Sequence, residues 1–394
     1  MSAAGLVRSP WVARRPSSVD LLFTRSGDHV AAKVQQLEGI NGGHLAIMKI
    51  AQVAPLYESV PPHGYGGTER VVSYLTEQLV RQGEEVTLFA SGDSKTAARL
   101  LPVCPRSLRL GKAVDSLAHH VVLLEEVFQR LDQFDIVHFH IDYLHFPMSR
   151  RASFPQVTTL HGRLDLPDLP ALYHRFTDMP VISISHSQRH PLPQAQWVGT
   201  VYHGLPTDSF SFQEKPEDYL LFLGRISPEK RVDRAIEIAR RAGRKLKIAA
   251  KIDRVDRYYF NKNIKHLLNE PFIEFIGEVG HREKNKLLGG AFALLFPIDW
   301  PEPFGLVMIE ALACGTPVIG FPCGSVPEVI VEEETGFIVE DIDRAVEAVA
   351  KIEQISRARC RHEFEQRFTD RRMAQDYVRT YQQLRSRSSA QAAA

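Results

Sequence analysis

The chain has 394 residues, 44% of them apolar and 24% charged, with 48 basic against 47 acidic side chains for a formal net charge of +1. At about 150 residues per domain this length predicts two or three domains, each able to bury a core. The composition excludes wholesale disorder and a multi-spanning membrane protein. The charge balance excludes a global field that would draw the chain to nucleic acid, so any anion site must be local. The four cysteines, Cys104, Cys314, Cys323 and Cys360, show no Cys-x-x-Cys spacing. That argues against a disulfide scaffold or structural zinc and fits a reducing, cytoplasmic compartment.

Residues 1–47 differ from the rest of the chain: Arg8, Arg14, Arg15, Arg25 and Lys33 lie among Ser, Gly and Ala, and no apolar run is long enough for a signal peptide or an anchor. The stretch reads as a disordered extension or an upstream start-codon artefact; its acid-poor beginning also fits a transit peptide. At Met48 a buried-strand pattern begins, Lys49-Ile50-Ala51-Gln52-Val53.

From there short Val/Ile/Leu/Phe runs alternate with segments of helical period, the pattern of parallel sheets covered by helices on both faces. Strands are expected at Ile50–Val53, Val86–Phe89, Ile136–Phe139, Val157–Leu160 and Val181–Ile184. A helix carrying Val71, Val72, Leu75 and Leu79 on one stripe should stop at Gly83. The pattern pauses at His203–Thr207 and the polar stretch Gln213–Asp218, which puts a domain boundary near 208–217, and restarts with strands at Tyr219–Leu223, Ile248–Ala250, Phe272–Ile276, Ala293–Phe296 and Val318–Gly320. Ser227 and Pro228 are placed to open a helix. The expected architecture is α/β: two doubly wound domains, 48–207 and 208–372, a helix near 373–386 able to pack back on the first, and a disordered tail at 387–394. Two such domains facing each other enclose a cleft at the carboxyl ends of their strands, where ligands bind.

Four features point to that cleft. Gly64-Tyr65-Gly66-Gly67 joins a strand to a helix and lets backbone N–H groups approach an anion, although it reads equally as a tight turn. Gly224-Arg225-Ile226-Ser227-Pro228-Glu229-Lys230 comes directly after a strand. It brings two cations to a helix start, with Lys230 in the first turn, an arrangement suited to a diphosphate. In Pro301-Glu302-Pro303-Phe304-Gly305-Leu306-Val307-Met308-Ile309-Glu310 two prolines hold Glu302 ahead of a helix, Gly305 and Leu306 open it, and Glu310 lies more than a turn inside. Carboxylates beside a phosphate suit neutral hydroxyls, such as those of a sugar and a ribose. Finally, His138 and His140 share one strand face in a structural role, whereas His161 ends a strand at the cleft and can face a sugar. Asp341-Ile342-Asp343 precedes a helix and is explained by capping rather than by a metal.

Together these residues resemble the family 4 glycosyltransferases, retaining enzymes of GT-B architecture that use nucleotide-activated sugars. The likeness runs from Met48 to about residue 384. It rests on Glu302-x7-Glu310 with the subsequent Ala-Leu-Ala-Cys-Gly-Thr-Pro-Val, on Gly-Arg-Ile-Ser-Pro-Glu-Lys, and on Gly66-Gly67-Thr68-Glu69-Arg70. The resemblance implies that Arg225, Lys230, Gly66 and Gly67 hold the donor diphosphate and that Glu302 with Phe304, Gly305 and Leu306 grips the donor sugar. It further implies that Glu310 binds the ribose, and that His161 and Glu302 act at the reacting face. The acceptor, whether a small molecule, a lipid-linked species or a glycan, would lie near Tyr65, Thr68, Glu69, Asp142 and Tyr143. No metal or other cofactor is implied, the nucleoside diphosphate sugar being a co-substrate, with uracil the preferred base. Peripheral membrane contact is compatible with such an acceptor. The segment Val201-Tyr202-His203-Gly204 departs from the family, which generally has Asn before the Gly.

Other classes share parts of this pattern. A glycoside hydrolase needs its carboxylates to flank a glycosidic bond with one protonated, whereas these would both stand beside cations. A nicotinamide dehydrogenase needs a third glycine where Glu69 stands. A nucleotide-sugar epimerase of the same architecture and a non-catalytic nucleotide-sugar-binding protein both remain open on sequence.

Overall fold

The computed structural model describes residues 47–64 and 66–393. The extension, except for Ile47, and the acceptor-side candidate Tyr65 lie outside them.

The first half builds a seven-stranded parallel sheet from β1 (Lys49–Val53), β2 (Glu85–Ser91), β3 (Arg99–Cys104), β4 (Ile136–Phe139), β5 (Gln156–Thr159), β6 (Pro180–Ser183) and β7 (Gln196–Thr200), in the order β3-β2-β1-β4-β5-β6-β7. The second builds a six-stranded parallel sheet from β8 (Tyr219–Arg225), β9 (Lys245–Lys251), β10 (Ile273–Phe275), β11 (Ala293–Phe296), β12 (Val318–Gly320) and β13 (Gly336–Ile338), in the order β10-β9-β8-β11-β12-β13. In both, the strand order reverses beside the first strand, between β1 and β4 and between β8 and β11. Crevices for ligands open at such points in doubly wound sheets. In β1, Ile50, Ala51, Gln52 and Val53 are all fully buried, because helices cover both faces.

Three strands that the hydrophobic pattern leaves out, β3, β7 and β13, are edge strands. An edge strand pairs on one side only and tolerates what a central one does not: Pro102 in β3, an exposed Gln196 followed by half-buried Trp-Val-Gly-Thr in β7, three residues in β13. Helix α1 (Gly67–Arg81) buries Val71, Val72, Leu75 and Leu79, and the chain leaves it through Gly83 at φ +89°.

The segment after β8 departs from expectation. Pro228–Lys230 is a single 3₁₀ turn, Arg231 takes a left-handed φ of +52°, and helix α2 begins only at Val232 and runs to Arg241. Arg231 is held there by Asp233 at 2.8 Å and Asp299 at 2.7 Å. Lys230 therefore stands before the helix instead of in its first turn, and the Ser227 side chain makes no capping hydrogen bond.

The chain leaves the first half at Gly204 and returns to it at Thr369. The two passages bind each other: Leu205 N–H donates to Phe368 O at 2.9 Å and Asp370 N–H to Leu205 O at 3.0 Å. The returning helix α3 (Asp370–Ala393), which continues beyond residue 386, packs Met373, Ala374, Tyr377 and Tyr381 against Met48, Ile50, Val71 and Leu75. At the crossing a Cβ placed on Gly204 would lie 2.2 Å from Thr369 O. Gly204→Ala should accordingly lower stability by about 1–3 kcal/mol, the usual cost of overpacking, as read from urea unfolding.

Candidate active site in the interdomain cleft

The donor side is built from the ends of β8 and β11. Arg225 closes β8 and reaches three carboxylates, Glu229 at 2.5 Å, Asp256 at 3.5 Å and Asp253 at 3.6 Å. Lys230, delivered by the 3₁₀ turn, forms an ion pair with Glu302. Its ammonium lies 5.0 Å from the centre of the Trp300 ring, and the Trp300 indole N–H donates to Glu302 Oε2 at 3.1 Å.

Glu302 is positioned from below. Ser325 N–H donates to Glu302 O at 3.0 Å, Ser325 Oγ donates to Phe304 O at 2.7 Å, and Gly324, at φ +60°, passes so close that a Cβ would lie 2.3 Å from Glu302 N. The chain then turns through Gly305 at φ +75° into helix α4, which here denotes Leu306–Ala313. The first N–H groups of such a helix have no intrahelical acceptor and carry the positive end of its dipole. Glu310, buried at 4% exposure, is paired with Lys284 of the helix His281–Gly290.

The opposite wall comes from the first half. Gly67 begins α1 directly across from α4: a Cβ there would sit 3.9 Å from Leu306 Cδ1. Gly66 is buried under Pro62 and the Glu69 side chain. Thr68 is half-buried, whereas Glu69 is buried and its carboxyl is raised by that burial, with Glu58 adding to the effect. Asp142, at φ +52°, and Tyr143 come after β4 on open surface. Arg163 places its guanidinium 5.5 Å from the Trp300 ring, a second contact across the cleft.

His161 lies just past β5. Its Nε2 lies 2.9 Å from His140 Nδ1, its ring stacks on His203 at 5.4 Å, and its Nδ1 is buried without a protein partner. His203 meets the Phe304 ring edge-on at 4.9 Å, so it touches both walls, and its Nδ1 is likewise buried and unpartnered. His138 is bonded to Tyr381 and Thr159, each at 2.7 Å, in the structural role expected. Asp341 caps its helix through Arg344 N–H at 2.8 Å and Asp343 pairs with Arg241.

The structure thus brings Lys230, Glu302, Gly305, Leu306, Gly67 and His161 to one cleft. Around them stand residues that motif reading passes over: Trp300, Gly324, Ser325, Lys284, and the carboxylates Asp253 and Asp256. Of these, Asp253 and Asp256 have a sequence signal, as acidic residues within the strongly basic stretch 225–257. Among the described residues no group of three His, Cys, Asp or Glu is placed to hold a metal ion, and no helix is long and apolar enough to cross a membrane.

Two facing doubly wound domains with this cleft define the GT-B class of glycosyltransferase. Comparison with known proteins narrows the class. The family described as Glycosyltransferase Family 4 matches residues 65–203, and that described as Glycosyl transferases group 1 matches residues 206–371. An uncharacterized glycosyltransferase of Methanocaldococcus jannaschii is 28% identical over 74% of this chain and 85% of its own. N-acetyl-alpha-D-glucosaminyl L-malate synthase of Bacillus anthracis is 26% identical over 74% and 84%. Among solved structures, AviGT4, a glycosyltransferase involved in avilamycin A biosynthesis, superposes with a TM-score of 0.66 at 25% identity, covering 86% of this chain and 98% of its own. Sucrose-phosphate synthase from Thermosynechococcus elongatus shares the fold with a TM-score of 0.69 at 19% identity, over 86% and 99%. The chain belongs to the family 4 type of GT-B glycosyltransferase.

Burial holds five histidines of the first half neutral. It pushes His145 and His161 down to about 3, and His138, His140 and His203 well below the ordinary value. A base whose pKa is lower folded than unfolded binds fewer protons in the native state. The stability it contributes is complete above about pH 6.5 and is lost as pH falls toward the folded value. At pH 5 a histidine such as His145 should cost about 2 kcal/mol. Urea unfolding between pH 8 and 5 should show stability falling with a slope of several protons, and a flat profile would refute the neutral, buried state of these rings.

Proposed function

We propose that the protein transfers a sugar from a nucleoside diphosphate sugar, with uridine diphosphate the preferred carrier, to an acceptor hydroxyl. The transfer retains the anomeric configuration and uses no metal. The observation that carries this reading is the convergence of Lys230, Glu302 and the start of α4 on one wall with the side-chain-free start of α1 at Gly67 opposite. An anion between the walls meets a lysine and two helix N-termini.

In this reading the diphosphate takes Lys230 from Glu302 and Arg225 from its carboxylates. Glu302, so released, accepts hydroxyls of the donor sugar, and Glu310 accepts those of the ribose. The bond from the anomeric carbon to the diphosphate oxygen breaks as positive charge grows on the sugar ring, and the cations and helix termini stabilise the charge gathering on the leaving group. The acceptor oxygen bonds to the anomeric carbon on the same face, and its proton passes to the departing diphosphate. Asp142 and Tyr143 offer open surface to the acceptor and Thr68 a half-buried hydroxyl, whereas Glu69 is buried. The Bacillus anthracis relative supports retention, since its name records an α-glycoside, the anomer that retention yields from an α-linked donor.

Thermal shift and calorimetry with UDP, GDP, ADP and their sugar conjugates test this. One nucleotide should raise Tm equally with and without EDTA, and Lys230→Ala should abolish the shift. With that donor, Lys230→Ala should lower kcat/KM by at least about a hundredfold, the loss typical of removing one preorganised charge-stabilising group. Silence in calorimetry at millimolar nucleotide would overturn the assignment. Conversion of the nucleotide sugar with no acceptor present would point to an epimerase instead.

A further inference from the structure

His161 is the near end of a buried chain of hydrogen bonds that crosses the first half and finishes on α3. Its Nε2 lies 2.9 Å from His140 Nδ1, and His140 Nε2 lies 2.7 Å from Gln52 Oε1. Gln52 Nε2 donates to Tyr381 Oη at 3.1 Å, which lies 2.7 Å from His138 Nδ1. His138 Nε2 is 2.7 Å from Thr159 Oγ1, and that hydroxyl is 3.0 Å from Tyr377 Oη. Gln52, His138, Thr159, Tyr377 and Tyr381 have no exposed surface and His140 has 3%.

We propose that Gln52, anchored by Tyr381 of α3, is a positioning residue that sets which ring nitrogen of His161 carries the proton. An amide oxygen only accepts, so His140 presents its proton on Nε2 to Gln52. Burial keeps both rings neutral, so His140 Nδ1 is bare and must accept from His161 Nε2–H. That leaves His161 Nδ1 as a lone pair, buried and without a protein partner.

A lone pair so placed accepts a hydrogen bond from a hydroxyl, and the sugar of the proposed donor supplies hydroxyls. The inference rests on that reading for its ligand, but not for its tautomer. The chain has a second coherent polarity. With the Gln52 amide turned over, every donor becomes an acceptor and His161 presents Nδ1–H, which only donates, so that a sugar hydroxyl there must accept and gives up the lone pair as a partner for its own proton.

The structure has the first polarity, with the Gln52 amide nitrogen toward Tyr381. Its hydroxyl accepts from the Gln52 amide nitrogen while donating to His138. Without that hydroxyl the amide N–H would be buried unpaired, and turning the amide over leaves the less costly orphan, a carbonyl oxygen. Tyr381→Phe should therefore move the His161 proton to Nδ1. Gln52→Met should do the same, because His140 then keeps its one useful proton for His161. Gln52→Glu should not, since a carboxylate accepts from both His140 Nε2–H and Tyr381.

Long-range proton–nitrogen correlation spectra of the ¹⁵N-histidine-labelled full chain, with His161 assigned through His161→Gln, read the tautomer directly. The expected results are Nε2–H in the wild type and in Gln52→Glu, and Nδ1–H in Tyr381→Phe and Gln52→Met. With a nucleotide sugar that the wild type turns over, the two disrupting variants should lower kcat about tenfold to a hundredfold, the worth of one or two hydrogen bonds made in the transition state. KM for the donor should stay within about twofold, as expected when binding in the ground state is untouched. Gln52→Glu should restore kcat. Nδ1–H in the wild type, or Nε2–H retained in both disrupting variants, overturns the proposal. If the tautomers behave as expected while the wild type turns over no nucleotide sugar, the positioning role stands and the proposed function fails.

Discussion

The arrangement of the molecule depends on one crossing, where the chain leaving the first half at Gly204 and Leu205 runs beside the chain returning at Phe368 and Thr369. Two main-chain hydrogen bonds join the passages, and the absence of a side chain at Gly204 allows their contact. Because the return is fixed there, α3 lies along the first sheet and not the second, and its tyrosines reach the buried polar residues of β1 and β4. The same crossing sets His203 between His161 and Phe304. A displacement at this point would be felt in both walls of the cleft and in the buried hydrogen-bond chain behind one of them.

Electrostatics in the cleft arise from placing cations beside helix starts. A lysine at the positive end of a helix is unfavourable until negative charge stands nearby. In this structure carboxylates supply it: Glu302 for Lys230, and Glu229, Asp253 and Asp256 for Arg225. Each ion pair is partly exposed and so contributes little net stability, which makes its partner exchangeable. On the proposed function, an incoming diphosphate would substitute for carboxylates and leave those carboxylates able to accept from neutral hydroxyls, so that binding and the readying of Glu302 would be the same event.

Much of this was legible in the sequence, and the remainder was hidden for a physical reason. Central strands are buried on both faces, so β1, β4, β5, β8, β11 and β12 announce themselves as apolar runs; β3, β7 and β13 lie at edges and carry diluted patterns. Motifs within one loop, such as Pro301 to Glu310, were readable because proline, glycine and helix periodicity act locally. The pairing of Lys230 with Glu302 spans 72 residues, and that of Tyr381 with His138 spans 243. Neither has a local signature, since each exists only after the two sheets and the returning helix are in place. The position of Lys230 shows the same limit at short range. Ser227-Pro228 reads as a helix start, but Asp299, far along the chain, holds Arg231 left-handed and postpones the helix to Val232.

The contacts between the halves are of two kinds. Close to the crossing, Glu328 accepts from His186 N–H and Ser187 N–H at 2.7 Å each and from Tyr202 Oη at 2.9 Å, three charge-assisted bonds from the first half and its exit segment. At the cleft the contacts are of another kind: Leu306 against the bare backbone of Gly67, a ring edge between His203 and Phe304, a guanidinium over Trp300. Apolar and cation–π contacts of this sort lack the directional strength of a carboxylate on paired N–H groups and re-form readily after separation. The two kinds interleave at the exit segment, where Tyr202 bonds Glu328 while its neighbour His203 meets Phe304, so the segment leading to the crossing is tied to the second half by both a directional bond and a ring contact.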